Sequence, residues 1–153
     1  DDAGNLAKSG NVNQDLLKQL NGLDFYKASY PKSLGMEFVN AEIFPLIHSF
    51  LIDVKDKLRT FVEHIAIQIA KICDKPHAKL FITGGGAYNR FLIERLRNCL
   101  PTTEVVIPDD KTIQFKEALI FAFLGVLRLR NEINVLSSVT GANKNHSSGV
   151  VFL

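Results

Sequence analysis

Apolar residues recur at three- and four-residue steps from Val54 through Leu58, Phe61, Val62, Ile65 and Ile69 to Ile72. Lys55, Asp56, Lys57, Arg59, Glu63, Gln68 and Lys71 occupy the rest of the turn. This spacing predicts a long amphipathic helix, opened by Asp53 and closed before Pro76. Ala78-Lys79-Leu80-Phe81-Ile82-Thr83 follows as an apolar run of strand length, and then Gly84, Gly85 and Gly86. A second helix is expected from Asn89 to Leu100, with Leu92, Ile93, Leu96 and Leu100 facing inward. Glu104-Val105-Val106-Ile107 reads as another strand, closed by Pro108-Asp109-Asp110. The last predicted helix, residues 112–131, is apolar almost all round, the pattern of a helix inside a fold rather than on its surface. Residues 78–107 therefore read as one strand–helix–strand crossover, parallel and right-handed, within an α/β layer.

The flanks are less regular. The first ten residues are polar and turn-like, without periodic apolar positions. Asn13 is placed to cap a short helix through Leu16, Leu17 and Leu20, stopped at Asn21-Gly22. A mixed aromatic segment, residues 25–30, leads to Pro31. Ser33 and Glu37 mark a loose helix start, with Phe38, Ile43 and Phe44 as its apolar face and Pro45 expected to kink it. The tail from Ser137 onward is rich in Ser, Gly and Asn and reads as loop, or as chain ordered only by contact.

Composition narrows the class. A chain of 153 residues fits one domain, and 46% hydrophobic with 22% charged residues excludes disordered and disulfide-scaffold classes. Eighteen basic against sixteen acidic residues give a net charge of +2, with no single-sign block to grip a phosphate backbone. The nearest basic cluster, Arg90, Arg95 and Arg97, is interrupted by Glu94. No nucleic-acid or membrane partner is expected, since the longest apolar run, residues 118–127, is about half a bilayer span. Cys73 and Cys99 lie in apolar runs and read as buried reduced thiols, hence a cytoplasmic protein. His48, His64, His77 and His146 have neither i,i+4 pairs nor cysteine partners at metal-ligand spacing, so no metal site is expected. The chain starts at Asp1, which reads as a cut from something longer.

Three segments carry candidate chemistry. Gly84-Gly85-Gly86-Ala87-Tyr88-Asn89 delivers a strand to a helix start through glycines that let a ligand approach the backbone. The helix N-terminus favours phosphate. The string is neither the Gly-x-Gly-x-x-Gly pattern nor a Walker loop, and a ligand-free tight turn satisfies it equally. Glu117, near the start of the apolar last helix, reads locally as dipole compensation, or else as a carboxylate aimed into a cleft. Pro31-Lys32-Ser33-Leu34-Gly35-Met36-Glu37 combines a cation, a hydroxyl and a glycine at a helix start, suited to a sugar or an anion and equally to ordinary helix entry.

Five segments in order resemble one family. Asp2-Ala3-Gly4-Asn5-Leu6-Ala7-Lys8-Ser9-Gly10 is similar to the D-x-G-x-x-A-x-x-G stretch of anhydro-N-acetylmuramic acid kinases. Residues 31–37 resemble PKSTGRE, with Leu34 and Met36 departing from it. Residues 84–89 resemble GGGAxN, residues 117–124 resemble EAxAFAWL, and Ser138-Val139-Thr140-Gly141-Ala142 resembles SVTGA. The resemblance implies the C-terminal lobe of a ribonuclease H-like, actin-like ATPase fold, with helices packed on a small mixed sheet. It implies ATP and Mg²⁺ as cofactors and an anhydro amino sugar as substrate. The ring would be opened by water while the 6-oxygen receives the phosphoryl group, a step of cell-wall recycling. By the same resemblance Gly84, Gly85, Gly86 and Asn89 would line the ATP site, and Glu117 and Lys32 would approach the sugar. The general-base Asp and the first phosphate loop would lie upstream, so the 153 residues alone are expected to be inactive. A homodimer is compatible with the sequence. Two other readings stand beside this one: a non-catalytic interaction module of the same fold, and a Rossmann-like domain for another nucleotide.

Overall fold

The computed structural model describes residues 1–29 and 32–152. Tyr30 and Pro31, which the sequence places in the aromatic segment and the second motif, and Leu153 at the tail lie outside the described residues. The chain divides into two units, Asp1–Pro108 and Asp109–Leu153.

The first unit is built around α6 (Val54–Cys73), the amphipathic helix that the three-and-four spacing predicts. Ahead of it come a 3₁₀ turn (Asp2–Gly4), α1 (Asn5–Lys8), α2 (Gln14–Gly22), α3 (Asp24–Lys27), α4 (Met36–Phe38), a π-helical stretch (Val39–Ile43) and α5 (Phe44–Ser49). After it come β1 (Lys79–Phe81), a 3₁₀ turn (Gly85–Tyr88), α7 (Arg90–Cys99) and β2 (Glu104–Val106). The strands pair in parallel, Lys79 with Glu104, Leu80 with Val105 and Phe81 with Val106, so the expected crossover forms with α7 as its helix. The result is a helix-rich α/β unit on a small two-stranded parallel sheet.

Three clusters of buried side chains hold this unit. Ala66, Ile93, Leu96 and Leu100 join α6 and α7, with Leu80 and Val105 of the sheet packed on them. Ala7, Val62 and Phe91 join α1, α6 and α7. Leu16, Leu20 and Ile43 join α2 to the π-helical stretch. The capping expectations are met by direct bonds: Asn13 accepts from the Leu16 amide at 2.9 Å, and Asn89 from the Leu92 amide at 3.0 Å. Pro45 interrupts its helix as expected: the backbone switches to π spacing over Val39–Ile43 just before it.

Two expectations for the first unit need correction. The first ten residues form ordered structure rather than loose turns. The Asp1 carboxylate accepts from the amides of Leu6 and Ala7, each at 2.9 Å, and Ala7 is fully buried. A side-chain cap and small residues at the contacts replace the missing apolar period. The inward face of α6 also differs from the apolar stripe. Val54 and Ile72 are exposed, while Thr60 and His64 are buried with Val62 and Ala66.

Those buried polar groups are satisfied. The Thr60 hydroxyl donates to the Asp56 carbonyl at 2.7 Å and accepts from the Asn13 amide at 2.9 Å. His64 Nδ1 lies 2.8 Å from Asn21 Oδ1, and its Nε2 lies 2.9 Å from the Tyr26 hydroxyl. An amide oxygen can only accept, so the ring proton sits on Nδ1 and the Tyr26 hydroxyl donates to Nε2. Gln68 Nε2 donates to the same Asn21 oxygen at 2.6 Å.

In the second unit α8 (Asp110–Leu129) is capped by Asp109, whose carboxylate accepts from the Thr112 amide at 2.7 Å. Within these 153 residues the apolar surface that reads as an interior helix is largely uncovered. Only Ile113 is buried, and Phe121 and Leu119 are 70% and 71% exposed. Asn134 and the tail fold back onto the helix. Arg128 Nε donates to the Gly149 carbonyl at 2.8 Å, and Asn134 Nδ2 donates to the carbonyls of Leu124 and Ser148. The tail is thus ordered by contact, with α9 (Ser137–Thr140) and a bridge between Val135 and His146.

Burial pushes the His64 ring down to about 4, with the Lys71 charge adding to the effect. The unfolded chain would take up a proton near 6.5 that the folded chain refuses until about 4. Stability is therefore expected to be full above pH 6.5 and to fall as the pH drops from 6.5 toward 4. Denaturant midpoints across that window should show this slope in the native sequence and a shallower one in His64→Gln. An equal slope in both would disprove the assignment.

Candidate functional site

The glycine turn begins where β1 ends. Ile82 still donates to the Val106 carbonyl at 3.0 Å, and the chain then turns at Gly84, with φ 82° and ψ −178°. That conformation is open to glycine and strained for other residues. The Ala87 amide donates to the Gly84 carbonyl and the Asn89 amide to the Gly86 carbonyl, which closes a single 3₁₀ turn onto α7. Gly85 and Gly86 differ from Gly84. Neither has a positive φ, and a Cβ built on either would meet nothing within 4 Å. The surrounding fold gives no reason for glycine at these two positions.

Asn89 is held from two sides. Its Oδ1 caps α7, and the same atom is the surface on which Gly4 lies: a Cβ at Gly4 would sit 2.3 Å from Asn89 Oδ1 and 2.5 Å from Phe91 Cβ. Gly4 also has φ 83°. Gly10 is similarly pressed, its absent Cβ 2.2 Å from the Lys55 carbonyl oxygen. The first motif is therefore a packing device. Gly4 seats it on the N-cap of α7, Ala7 fills the core between α6 and α7, and Gly10 seats it on the start of α6.

A cavity of about 500 Å³ runs from the glycine turn along α7. Ala87, Ile93 and Ile107 form its apolar floor, and Arg90, Glu94 and Arg97 rim it. Lys8 Nζ donates to Glu94 Oε2 at 2.6 Å and lowers the Glu94 pKa. Arg95, grouped with Arg90 and Arg97 by sequence, turns away and binds Glu63 with two bonds of 2.8 and 2.9 Å. The i, i+3, i+7 spacing of Arg90, Ile93 and Arg97 already places them on one face of a helix.

Lys32 points back into its own unit. Its ammonium donates to the Phe25 carbonyl at 2.8 Å and the Tyr26 carbonyl at 3.4 Å, and it stands 5.0 Å from the centre of the Phe25 ring. Ser33 and Glu37 beside it are exposed. Glu117 lies in the third turn of α8 in the other unit. It is exposed and makes no hydrogen bond or ion pair among the described residues. The first unit therefore brings together Gly84, Gly85, Gly86, Asn89 and Gly4, and Glu117 stands on a separate element.

The chain matches the family anhydro-N-acetylmuramic acid kinase over residues 1–153. Among curated relatives, the anhydro-N-acetylmuramic acid kinase of Vibrio cholerae serotype O1 is 34% identical over 95% of this chain and 41% of its own length. That of Aliivibrio fischeri is 33% identical over 99% of this chain and 43% of its own length. That of a Sulfurovum species is 35% identical over 98% and 42% respectively. The strand, glycine turn and capped helix thus belong to a kinase family, and the chain is a member of the anhydro-N-acetylmuramic acid kinases. It spans about two-fifths of the length of the curated relatives it matches. No helix among the described residues is long and apolar enough to cross a membrane.

Two substitutions probe this geometry. Gly4→Ala should destabilise the protein by roughly 2 kcal/mol or more, from left-handed strain and the collision with Asn89; an unchanged thermal midpoint would refute the contact. Asn89→Ala should cost about 1 kcal/mol through the lost cap, whereas Asn89→Asp keeps the capping oxygen and should cost little. Equal losses in the two variants, measured by denaturant unfolding, would show that the cap is not what Asn89 contributes.

Proposed function

We propose that these residues are the C-terminal, nucleotide-binding portion of a two-lobed, ATP-dependent sugar kinase of actin-like fold. The reaction is hydrolytic opening of the 1,6-anhydro ring of anhydro-N-acetylmuramic acid with transfer of the γ-phosphoryl group to its 6-oxygen. The observation that carries the nucleotide half of this reading is the pair Gly85 and Gly86. Both are glycine where the fold leaves room for a side chain, and both stand at a strand-to-helix turn whose next residue, Ala87, lines an open cavity. A ligand that lies against the backbone supplies the missing reason. The amides at the start of α7, a helix of ten residues, and the rim guanidiniums of Arg90 and Arg97 favour an anionic group there.

The residues divide the work as follows. Gly84 turns the chain, and Gly85 and Gly86 let the polyphosphate approach the main chain. Asn89 fixes the turn to α7 through its oxygen and keeps an amide donor for the nucleotide. The apolar floor of Ala87, Ile93 and Ile107 suits the face of a base. Glu117 and the segment at residues 32–37 face the sugar. Among the described residues no group of three His, Cys, Asp or Glu can hold a metal. Mg²⁺ is commonly held by one or two carboxylates together with phosphate oxygens, which fits an ion that arrives on the triphosphate. Phosphoryl transfer depends on positioning and charge stabilisation around the whole phosphate chain. The base that activates water is expected outside these residues, and the 153-residue piece alone is expected to be inactive. The free thiols Cys73 and Cys99 suit the reducing cytoplasm.

The test uses the full-length protein. Gly86→Ala should weaken ATP binding about ten-fold or more by calorimetry while leaving stability within about 1 kcal/mol, because the site tolerates a Cβ when empty. Glu117→Gln should lower turnover of the anhydro sugar and leave ATP affinity unchanged. Unchanged ATP affinity in Gly86→Ala would remove the turn from the nucleotide site, and full turnover in Glu117→Gln would remove that carboxylate from the sugar.

A further inference from the structure

Asn21 and Tyr26, both half-buried, join the buried His64 in a polar chain that the proposed chemistry does not use. His64 is 1% exposed, yet both ring nitrogens are bonded, and Asn21 Oδ1 takes a second bond from Gln68. Apolar residues of similar shape would fill this space at comparable stability, so a fully paired network points to a demand for geometry. What the network holds is α3, a single turn of four residues with no side-chain cap at its start. A turn this short does not persist unaided. Ring contacts add to this hold: Phe25 lies 4.9 Å from Phe38 and Tyr26 lies 5.1 Å from His64 between centroids. The Tyr26 hydroxyl is its hydrogen bond to α6.

The last carbonyls of this turn receive the Lys32 ammonium. The order of fixation runs from α6 outward. Gln68 and His64 fix Asn21 and Tyr26, Tyr26 fixes the carbonyls of residues 25 and 26, and those carbonyls fix Lys32. Residues 33–37 leave from that point, with Ser33 and Glu37 exposed.

We propose that the Asn21–His64–Tyr26 chain is a positioning device for the sugar-facing segment at residues 32–37, acting through Lys32. The proposal rests on the assignment of that segment to the sugar side of the site. Neither Tyr26 nor His64 touches substrate. They determine where the segment stands before the sugar arrives, which reduces the ordering that binding must supply.

Steady-state kinetics of the full-length kinase test this. Tyr26→Phe deletes one hydroxyl and keeps the ring, so its packing on Phe25 and His64 is retained. The KM for the anhydro sugar should rise about three- to ten-fold, the size of one lost hydrogen bond, while the KM for ATP stays within about two-fold. Lys32→Met should give the same signature, and the double variant should be no worse than the stronger single one, as expected for two members of one chain. His64→Gln, which can still accept from Tyr26, should restore most of the sugar affinity that His64→Leu loses. If Lys32→Met raises the sugar KM and Tyr26→Phe does not, the positioning role is overturned and the sugar segment stands. If Lys32→Met also leaves it unchanged, the segment is not at the sugar and the proposal falls with that assignment. Equal rises for sugar and ATP in Tyr26→Phe would mark a general loss of structure and would equally overturn it.

Discussion

A single oxygen, Asn89 Oδ1, fixes the relation between the ends of the first unit. It accepts the Leu92 amide and so starts α7 at a defined residue. The face it turns toward the chain's first residues leaves space for a hydrogen at position 4 and nothing larger. Because α7 is the crossover helix of the parallel pair, its starting point also sets where β2 meets β1. Because Phe91 lies two residues on and is 2% exposed, the same point sets how α7 sits on α6 and α1. Displacing that oxygen would shift the glycine turn, the helix start and the seat of the first motif together.

Much of this unit was legible in the sequence, and the reasons differ between elements. α6, α7 and the two strands announce themselves by period, and the caps at Asn13 and Asn89 by residue type, since both signals are local. The chain from 1 to 10 was not legible in that way. Its order comes from a carboxylate at Asp1 and from small residues pressed against distant backbone, which leave no apolar rhythm. The motif spacing carried the information, but as a resemblance; only the contacts of Gly4 and Gly10 say what the spacing accomplishes. His64 was hidden for a related reason. On a helix wheel it interrupts an apolar stripe, and its burial depends on acceptor and donor groups brought from Asn21 and Tyr26.

The candidate site was legible to a different depth at each position. The three glycines were visible as a group, but the sequence could not separate Gly84, which the backbone itself requires, from Gly85 and Gly86, which it does not. That separation is the observation on which the proposed nucleotide site rests. For Lys32 the sugar-side reading came from the family resemblance, and the structure adds a scaffold role, its ammonium bonding the carbonyls of Phe25 and Tyr26. Identical residue types can serve as contact or as scaffold, and only the partner atoms distinguish the two.

The uncovered surface of α8 has a consequence for the life of the polypeptide. Phe115, Leu119, Phe121, Phe123 and Leu129 are all more than half exposed on one helix, alongside Val150 and Phe152 of the tail. Cellular quality control reads such surfaces as a mark of incomplete folding. The exposures are those of 153 residues that span about two-fifths of the length of the curated relatives, so they describe α8 within this stretch of chain alone.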